Sequence, residues 1–595
     1  MSTATPPVYE WNTLPWKQIE RRVFKLQKRI YQASQRGDTA TVHQLQRLLL
    51  RSWSAKQLAV RQVTQDNQGK RTAGIDGIKS LPPPQRHALA ASLSPHHPAK
   101  PTRRVWIPKP GNPTEQRPLG IPVMRDRATQ ALVKLVLEPE WEARFEPNSY
   151  GFRPGRSGHD AIEAIRACTR RQSKYVLDAD ISKCFDRINH QALLAKLATF
   201  PTLRRCIRRW LQAGVMDGSD LFPTTAGTPQ GGVISPLLAN IALHGMEMMI
   251  QAAFPHHTVD GRKHVTPHLI RYADDFVVLH PERAVIDACY NHITTWLRDL
   301  GLELKPSKTR IAHTLHPTDG QVGFDFLGFH VRQFLIGKTH AGKTPGWRPT
   351  RLGFTTLITP SKTAFQRHTQ ALAHIIHQHQ AAPQAALIHH LTRVIRGWTA
   401  YYATVNASHA FTVMSHRTYQ KLWAWAQRRH GNKSRGWIAE HYWRPSRGKW
   451  MFATPEGMQL YAHSRTRTRR HVKVQGARSP YDGDWSYWTL RMGRHPDAPP
   501  RVAAMVRRQK GRCPLCGLYL RSEDIVEVDH ILPRSQGGDH RRRNLHIIHR
   551  HCHHTKTAQD MSGAGRGTDD NSQTTEEPDE VNVSCPVLKT SRLGD

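Results

Sequence analysis

Acidic residues are scarce in this chain. Asp and Glu total 46 against 86 Lys and Arg, leaving a formal charge of +40 over 595 residues. So lopsided a balance is hard to reconcile with anything but a polyanionic partner, nucleic acid first; a merely soluble basic protein is the plain alternative. Long apolar runs are missing too. No stretch reaches the length needed to cross a bilayer, so no membrane partner is expected. Met1 to Glu20 mixes Pro, Trp and Glu without an apolar core, so no secretory signal is read there, and a soluble, intracellular protein is expected. Cysteine is sparse: eight are too few for a disulfide scaffold. Cys168, Cys184, Cys206, Cys289 and Cys585 stand alone and read as inert thiols, whereas Cys513, Cys516 and Cys552 crowd one His-rich segment and suggest a metal.

The length exceeds what one hydrophobic core supports, so several domains are expected. RRVFKLQKRIYQA (21–33) has helical periodicity, broken afterwards by Gly- and Pro-rich turns at TAGIDGI and LPPP. From Arg103 to about Ile336, short β-branched runs alternate with amphipathic helical segments, the pattern of an α/β or α+β core. Helical spacing rich in Trp, Tyr and Arg runs from about Thr350 to Tyr442. A basic, turn-rich stretch follows, then a compact Cys/His module from about Ala503 to Gln559. The tail around Asp569 to Glu580 has a disordered composition.

Two segments carry acids in a form that suits phosphoryl transfer. LIRYADDFVVL (269–279) sets adjacent carboxylates between two apolar β-type runs, where a tight hairpin holds them at the end of a sheet. YVLDADISKCFD (175–186) is a second strand ending in acids, with Asp178 and Asp180 on one face because strand side chains repeat every two residues. Carboxylates so gathered hold two divalent ions that activate a hydroxyl and neutralise leaving pyrophosphate. A lone YADD is equally an exposed acidic turn.

More accompanies it. IPKPGNPTEQRPLGIPVMRDRATQ (107–130), SYGFRPGRSGHDAI (149–162), DADISKCFD (178–186), GTPQGGVISPLLANI (227–241), YADD (272–275), GLELKPSKTRI (301–311) and FDFLGFHV (324–331) follow in order. With them, roughly Val63 to Tyr442 resembles the reverse transcriptases of group II introns. The resemblance implies metal binding by Asp180, Asp274 and Asp275, with Asp180 preferred over Asp178 because Phe185 then falls at the aromatic gate that excludes a ribose 2′-hydroxyl. It implies Lys109 and Arg117 on the incoming triphosphate, although GNPTEQ between them is slightly longer than the usual family turn. Gln230 and Gly231 would shape the nucleotide and template pocket, before a helix expected to be capped by Ser235 with Pro236 in its first turn. Lys308 would assist pyrophosphate departure, or else touch template phosphate from the surface.

Beyond the polymerase, TRVIRGWTAYYATV (392–405) reads as a thumb helix. LWAWAQRRHGNKSRGWIAEHYW (422–443) interleaves aromatics with cations, a pairing suited to RNA, and Lys421 to Lys473 holds 13 Lys or Arg against 2 Glu or Asp. These segments resemble the maturase region, domain X; a purely helical core is the alternative for the aromatics. The stretch about Arg444 to Pro500, with SRTRTRRHVK (464–473), lies where the family has its DNA-binding domain.

Near the end, CPLC (513–516), VDHILPRSQGGDHRRRNL (528–545) and HRHCHHTKT (549–557) follow in succession. A CxxC pair followed by HxxC is a strong zinc signal, with Cys513, Cys516, His549 and Cys552 as a closed structural site. Asp529, His530, Asn544 and His553 resemble the HNH nuclease pattern, which implies His530 as general base, Asn544 as loop anchor, and Asp529 and His553 on one Mg2+ or other divalent ion. A zinc ribbon that only binds DNA is the alternative.

The expectation is therefore an α+β multidomain protein. Residues 1–100 would form an N-terminal extension and the start of the fingers, 101–345 a right-hand fingers-palm with an antiparallel palm sheet, and 346–443 the thumb and domain X. Residues 444–502 would bind DNA, 503–560 form a small ββα-metal HNH endonuclease, and 561–595 a disordered tail. The resemblance implies an RNA-directed DNA polymerase, maturase and DNA endonuclease acting in intron homing. Its partners would be group II intron RNA, a double-stranded DNA target and dNTPs, its cofactors two Mg2+ and a structural Zn2+, and its place the cytoplasm or nucleoid of a bacterium. A non-catalytic splicing factor and a reverse transcriptase of another retroelement are the competing readings.

Overall fold

The computed structural model describes residues 10–563 apart from 110–111, 260–261, 338–350, 447, 484–486, 489–490, 492–499 and 521–523. The tail around Asp569 to Glu580 and Cys585 lie outside the described residues. No helix among the described residues is long and apolar enough to cross a membrane.

The chain opens with helices α1 (Trp16–Gln35), α2 (Thr39–Arg51) and α3 (Trp53–Arg61). Ile19, Val23 and Ile30 recur at helical spacing on α1 and are buried. Asp38 accepts from the Thr41 N–H and caps α2; Ser52 does the same for α3 through Ala55. The three helices pack on α4 (Met124–Glu142), which follows an antiparallel pair, β1 (Thr102–Lys109) and β2 (Asn112–Ile121).

Helix α5 (Gly158–Thr169) leads into β3 (Tyr175–Asp180). A short hairpin, β4 (Val215–Asp217) and β5 (Asp220–Phe222), extends the β1–β2 sheet through a parallel pairing with β1. After α6 (Ser235–Leu243) come β6 (His268–Tyr272), β7 (Asp275–His280), α7 (Arg283–Arg298) and β8 (Arg310–His313). Strands β8, β3, β7 and β6 form, in that order, an antiparallel four-stranded sheet, the expected palm. Both its faces are covered: Leu177, Ala179, Phe276 and Val278 join one core cluster, and Val176, Val277 and Leu279 join another. Burial on both sides explains why FVVL is apolar throughout instead of alternating, since neighbouring strand residues point to opposite faces.

A second sheet, β9 (Phe324–Phe326), β10 (Phe329–Leu335) and β11 (Phe354–Pro360), links palm to thumb. Here the structure corrects the expectation of helix from about Thr350. FTTLITP is β-branched and pairs along β10, so helix begins only at α8 (Lys362–Gln378), where Ser361 caps it through the Ala364 N–H. Helices α9 (Gln384–Tyr402), α10 (Ser408–Arg429) and α11 (Arg435–Tyr442) complete a helical unit around Leu391, Ile395, Met414, Leu422 and Trp425.

A hairpin, β12 (Trp443–Ser446) and β13 (Lys449–Phe452), follows, and the chain then returns to the polymerase body. Its anchor is Asp160 of α5, fully buried. One Asp160 oxygen meets His471 Nε2 at 3.1 Å, the Val474 N–H at 2.8 Å and the Arg491 guanidinium; the other accepts from the Ser157 N–H and hydroxyl. Arg156 donates to the carbonyls of Gly476 and Arg478. The Trp488 ring lies so close to Gly155 that a Cβ there would stand 2.6 Å from it. Tyr481 donates to Glu138 and stacks on Phe24 of α1. The last unit joins α12 (Pro500–Arg508) to the antiparallel pair β14 (Val526–His530) and β15 (Leu545–His549) and to α13 (Arg550–Gly563).

Burial alone would raise the Asp160 carboxyl, but His471, Arg491 and the Val474 N–H outweigh it and hold the group well below the usual carboxylate range. A depressed folded value means stability that is present above the unfolded pKa near ~3.9 and is lost as pH falls towards the folded value. Asp160→Asn should therefore cost about 3 kcal/mol at pH 7, because it leaves Arg491 without its counter-charge. The variant should also lose less on acidification than the parent. Denaturant titrations at pH 7 and at about pH 2.5, below the unfolded pKa, read by tryptophan fluorescence, check both.

Candidate active sites

At the end of the palm sheet Asp180 and Asp275 are register partners on β3 and β7, and Asp275 also faces Tyr272 across the hairpin. A two-residue turn, Ala273 and Asp274, joins β6 to β7, so the third carboxylate projects from the same corner. Ala273 takes φ +58°. Primed hairpin turns demand a positive φ because it matches the strand twist, yet for a residue with a Cβ it costs about 1–2 kcal/mol. Arg271, one per cent exposed, offsets that cost from beneath: one guanidinium nitrogen donates to the Ala273 carbonyl at 3.2 Å and to Asn240 Oδ1 at 3.1 Å. Asn240 in turn donates to the Gly151 carbonyl at 2.8 Å. Gly151 must be glycine, since a Cβ would stand 2.3 Å from the Ala273 nitrogen. None of Arg271, Asn240 and Gly151 was singled out in the sequence reading, although RYADD carries the arginine in plain view.

Burial, then mutual repulsion, raises Asp274 and pushes Asp275 up to about 7. Divalent cations relieve such a cluster, and the all-carboxylate donor set fits hard ions of that kind. Lys308 reaches Asp180 at 2.7 Å. Burial opposes its charge, but the bond to Asp180 and the neighbouring acids raise its pKa on balance. Asp178 shares the face of Asp180 but pairs with Arg310 at 3.2 Å. A cavity of about 450 Å³ opens from Asp180 and Asp275 towards Gly328, Ser361 and Arg367, at the start of α8.

Four of the other expected nucleotide-site residues, Phe185, Gln230, Gly231 and Arg117, lie among the described residues. Phe185 is partly buried and meets Phe152 edge-on at 6.2 Å. Gln230 donates to Asp186 at 3.3 Å, and its carbonyl accepts from the Gly120 N–H at 2.6 Å. Gly231 has φ +104°, and a Cβ there would press on the Gly120 carbonyl at 3.1 Å. Arg117, on β2, is near enough for its charge to act on Asp274. The Lys109 side chain lies outside the described residues. Ser235 does not cap its helix: Ile234 occupies the cap position, and the Ser235 hydroxyl donates back to the Pro229 carbonyl at 2.7 Å, tying down the turn, while Pro236 sits in the first turn as expected.

In the thumb most aromatics are core. Trp425, Tyr442 and Trp443 are buried, and Trp423 and Trp437 are partly so. Cations overlie two of the rings, Arg429 on Trp425 and Lys433 on Trp437, whereas Tyr419 and Trp450 are exposed.

The Cys/His module brings Cys513, Cys516, His549 and Cys552 together, all four donor atoms within 4.8 Å of one another. Three thiols and an imidazole fit a structural zinc. His549 presents Nδ1 to the cluster while Nε2 faces Asp524 at 3.1 Å, an orienting partner not foreseen from spacing. On the other side Asp529 and His553 approach to 3.6 Å. Asp529 also meets His546 at 3.3 Å and Lys556 at 3.0 Å. Burial opposes its ionisation, but those two partners hold it down at about 2. Glu527 meets the other nitrogen of His553 at 2.8 Å. His530 Nε2 lies 3.0 Å from His540 Nδ1. Asn544 accepts from the Leu532 N–H and donates to the Leu532 and Asp539 carbonyls, pinning the loop after His530.

Four family models match this arrangement in order. They are the N-terminal domain of reverse transcriptase over residues 11–93, reverse transcriptase (RNA-dependent DNA polymerase) over 107–331, the group II intron maturase-specific domain over 365–443, and HNH endonuclease over 513–559. Fold and motifs thus define a reverse transcriptase fused to a maturase domain and an HNH module. The chain is 32% identical over 308 residues to Protein YkfC of Escherichia coli K12, covering 45% of this chain and 78% of that protein. It is 38% identical over 154 residues to the group II intron-encoded protein LtrA of Lactococcus lactis, a match spanning a quarter of each. The chain belongs to the group II intron-encoded proteins.

Arg271 supplies a direct test of the hairpin. Arg271→Met removes the donor under Ala273 and should slow primer extension at least about tenfold, some 1.4 kcal/mol, with a smaller change in KM for nucleotide. Steady-state extension with varied nucleotide concentration measures both.

Proposed function

We propose that the protein is an RNA-directed DNA polymerase that copies its own intron RNA by target-primed synthesis, a maturase that helps this RNA splice, and an endonuclease that nicks one strand of the DNA target. The cross-strand pairing of Asp180 with Asp275, with Asp274 in the turn beside them, carries the reading. These three carboxylates would hold two Mg2+, which when bound supply charge neutralisation for the attacking hydroxyl and the departing pyrophosphate. Phe185 would pack beneath the sugar and favour dNTPs. Arg117 and Lys109 would bind the triphosphate, Gln230 and Gly231 would shape the pocket, and Lys308 would offer a proton or charge to the pyrophosphate.

In the nuclease, His530 would take the proton from the attacking water, Asn544 would hold its loop, and Asp529 and His553 would hold one divalent ion, Mg2+ or another. Cys513, Cys516, His549 and Cys552 would hold Zn2+, which when bound ties α13 to the CPLC turn. The division at residues 100, 345, 443, 502 and 560 belongs to the same proposal. In the resulting cycle the basic thumb binds intron RNA and the complex remains with the excised lariat. It then pairs with duplex DNA; the RNA enters one strand, the HNH module nicks the other, and the new 3′-hydroxyl primes synthesis. The cytoplasm or nucleoid of a bacterium suits that cycle.

Asp275→Asn should cut primer extension on an RNA template by about three orders of magnitude, the equivalent of several kcal/mol of lost charge stabilisation, while leaving DNA nicking intact. His530→Ala should do the reverse. Parallel extension and nicking assays decide, and joint loss in either variant refutes the separate assignments. Cys513→Ala should release one zinc per chain and expose the module to protease, as measured by metal analysis and limited proteolysis.

A further inference from the structure

Ile531 and Leu532 follow His530 directly and are 51% and 45% exposed. The apolar core of the module, built from Leu545, Ile547 and Ile548 with Val502 and Met505, does not include them. Their exposure is not slack. The Leu532 N–H donates to Asn544 Oδ1 at 2.9 Å, its carbonyl accepts from Asn544 Nδ2 at 3.0 Å, and the Ile531 N–H donates to the Asn544 carbonyl at 2.7 Å. Gly538 crosses so close that a Cβ there would stand 1.9 Å from the Leu532 carbonyl oxygen. With the backbone locked on both sides, the two side chains cannot fold back into the core.

The surroundings say what they meet. Arg534, Arg541, Arg542 and Arg543 are exposed on the same loop, and its one acid, Asp539, is already paired with Arg541 and Arg543. Cations call for phosphate, and a rigid apolar pair calls for an apolar interior between the phosphates. Duplex DNA offers both, because apolar side chains enter the minor groove between base steps while Arg and Lys take the flanking backbone.

We propose that Ile531 and Leu532 form a wedge that enters the minor groove beside the scissile phosphate and parts neighbouring base pairs, kinking the duplex towards its major groove and widening the minor groove at His530. This rests on the nuclease reading for the position of the phosphate. It adds a source of selectivity that base pairing with RNA does not supply, since pyrimidine–purine steps unstack most easily and would be nicked fastest.

The test uses the full chain with His530→Ala, assembled with RNA transcribed from its own gene. The duplex joins the sequences flanking that gene, with 2-aminopurine scanned across it, and the parent protein maps any nick in parallel. Fluorescence should rise about threefold or more at one step, adjacent to the nick, as unstacking requires. Adding Ile531→Ala and Leu532→Ala should return it to the free-duplex level, with zinc content and duplex binding retained; Leu532→Met should preserve it. A rise that is absent, or that survives the double substitution, overturns the wedge while nicking by the parent leaves the nuclease reading standing. Weakened RNA capture with an unchanged duplex signal also overturns it and makes the pair an RNA contact. If the parent never nicks, the nuclease reading fails by itself, and the fluorescence scan still decides the wedge.

Discussion

The guanidinium of Arg271 against the carbonyl of Ala273 is the contact on which the polymerase half depends. The hairpin above it carries two burdens: a positive φ at a residue with a Cβ, and carboxylates that repel one another in a largely buried corner. A hydrogen bond from a charged donor contributes roughly 1.5–3 kcal/mol, enough to offset the backbone cost of about 1–2 kcal/mol. The counter-charge of Arg271 itself is Glu146, 3.9 Å away, and the positive charge acting on the aspartates comes from Lys308 and Arg117. The turn can then stay in its strained form before any cation arrives, and a site that is already shaped loses little to reorganisation when charge develops.

How much of this was legible beforehand follows from what kind of information a linear pattern holds. Strand ends and hairpins are local, so YADD between apolar runs located the turn, and DAD located its cross-strand neighbour. The ordered blocks then supplied the polymerase assignment, and CxxC with HxxC supplied the four-donor cluster. Partners that converge from far along the chain left no such trace. Asn240 and Gly151 reach the hairpin from different blocks, Asp524 meets His549 across 25 residues, and Lys556 meets Asp529 from the next helix. Ser235 misled because Ser before Pro is a good helix start, but the Pro229 carbonyl claimed its hydroxyl first. FTTLITP misled because the periodic helix after it was extended backwards over a β-branched run that β10 pairs with.

Composition misled in a more instructive way. The abundance of Trp and Tyr among cations after residue 420 suits RNA, yet Trp425, Tyr442 and Trp443 are buried in the helical core, and Arg429 and Lys433 lie over rings of that unit. Likewise, part of the basic stretch after the thumb is occupied inside the molecule: His471 and Arg491 meet Asp160, and Arg478 lies over Tyr487. Net charge measures an excess and not where the excess is spent. The surface left for nucleic acid is therefore smaller than the count suggests and is concentrated where cations stay exposed.

That accounting bears differently on the two ends of the chain. Around Asp160, His471 and Arg491 fasten the returning segment to α5, while Tyr481 stacks on Phe24 of α1. In the nuclease module the arginines after His530 remain in solvent, while its loop is fastened by Asn544, a neutral amide that consumes no charge. Neutral hydrogen bonds thus hold the loop rigid, and with Asp539 as its one acid the loop keeps a net positive field for a phosphate backbone, whereas the polymerase body uses charge where rigidity between distant segments matters most.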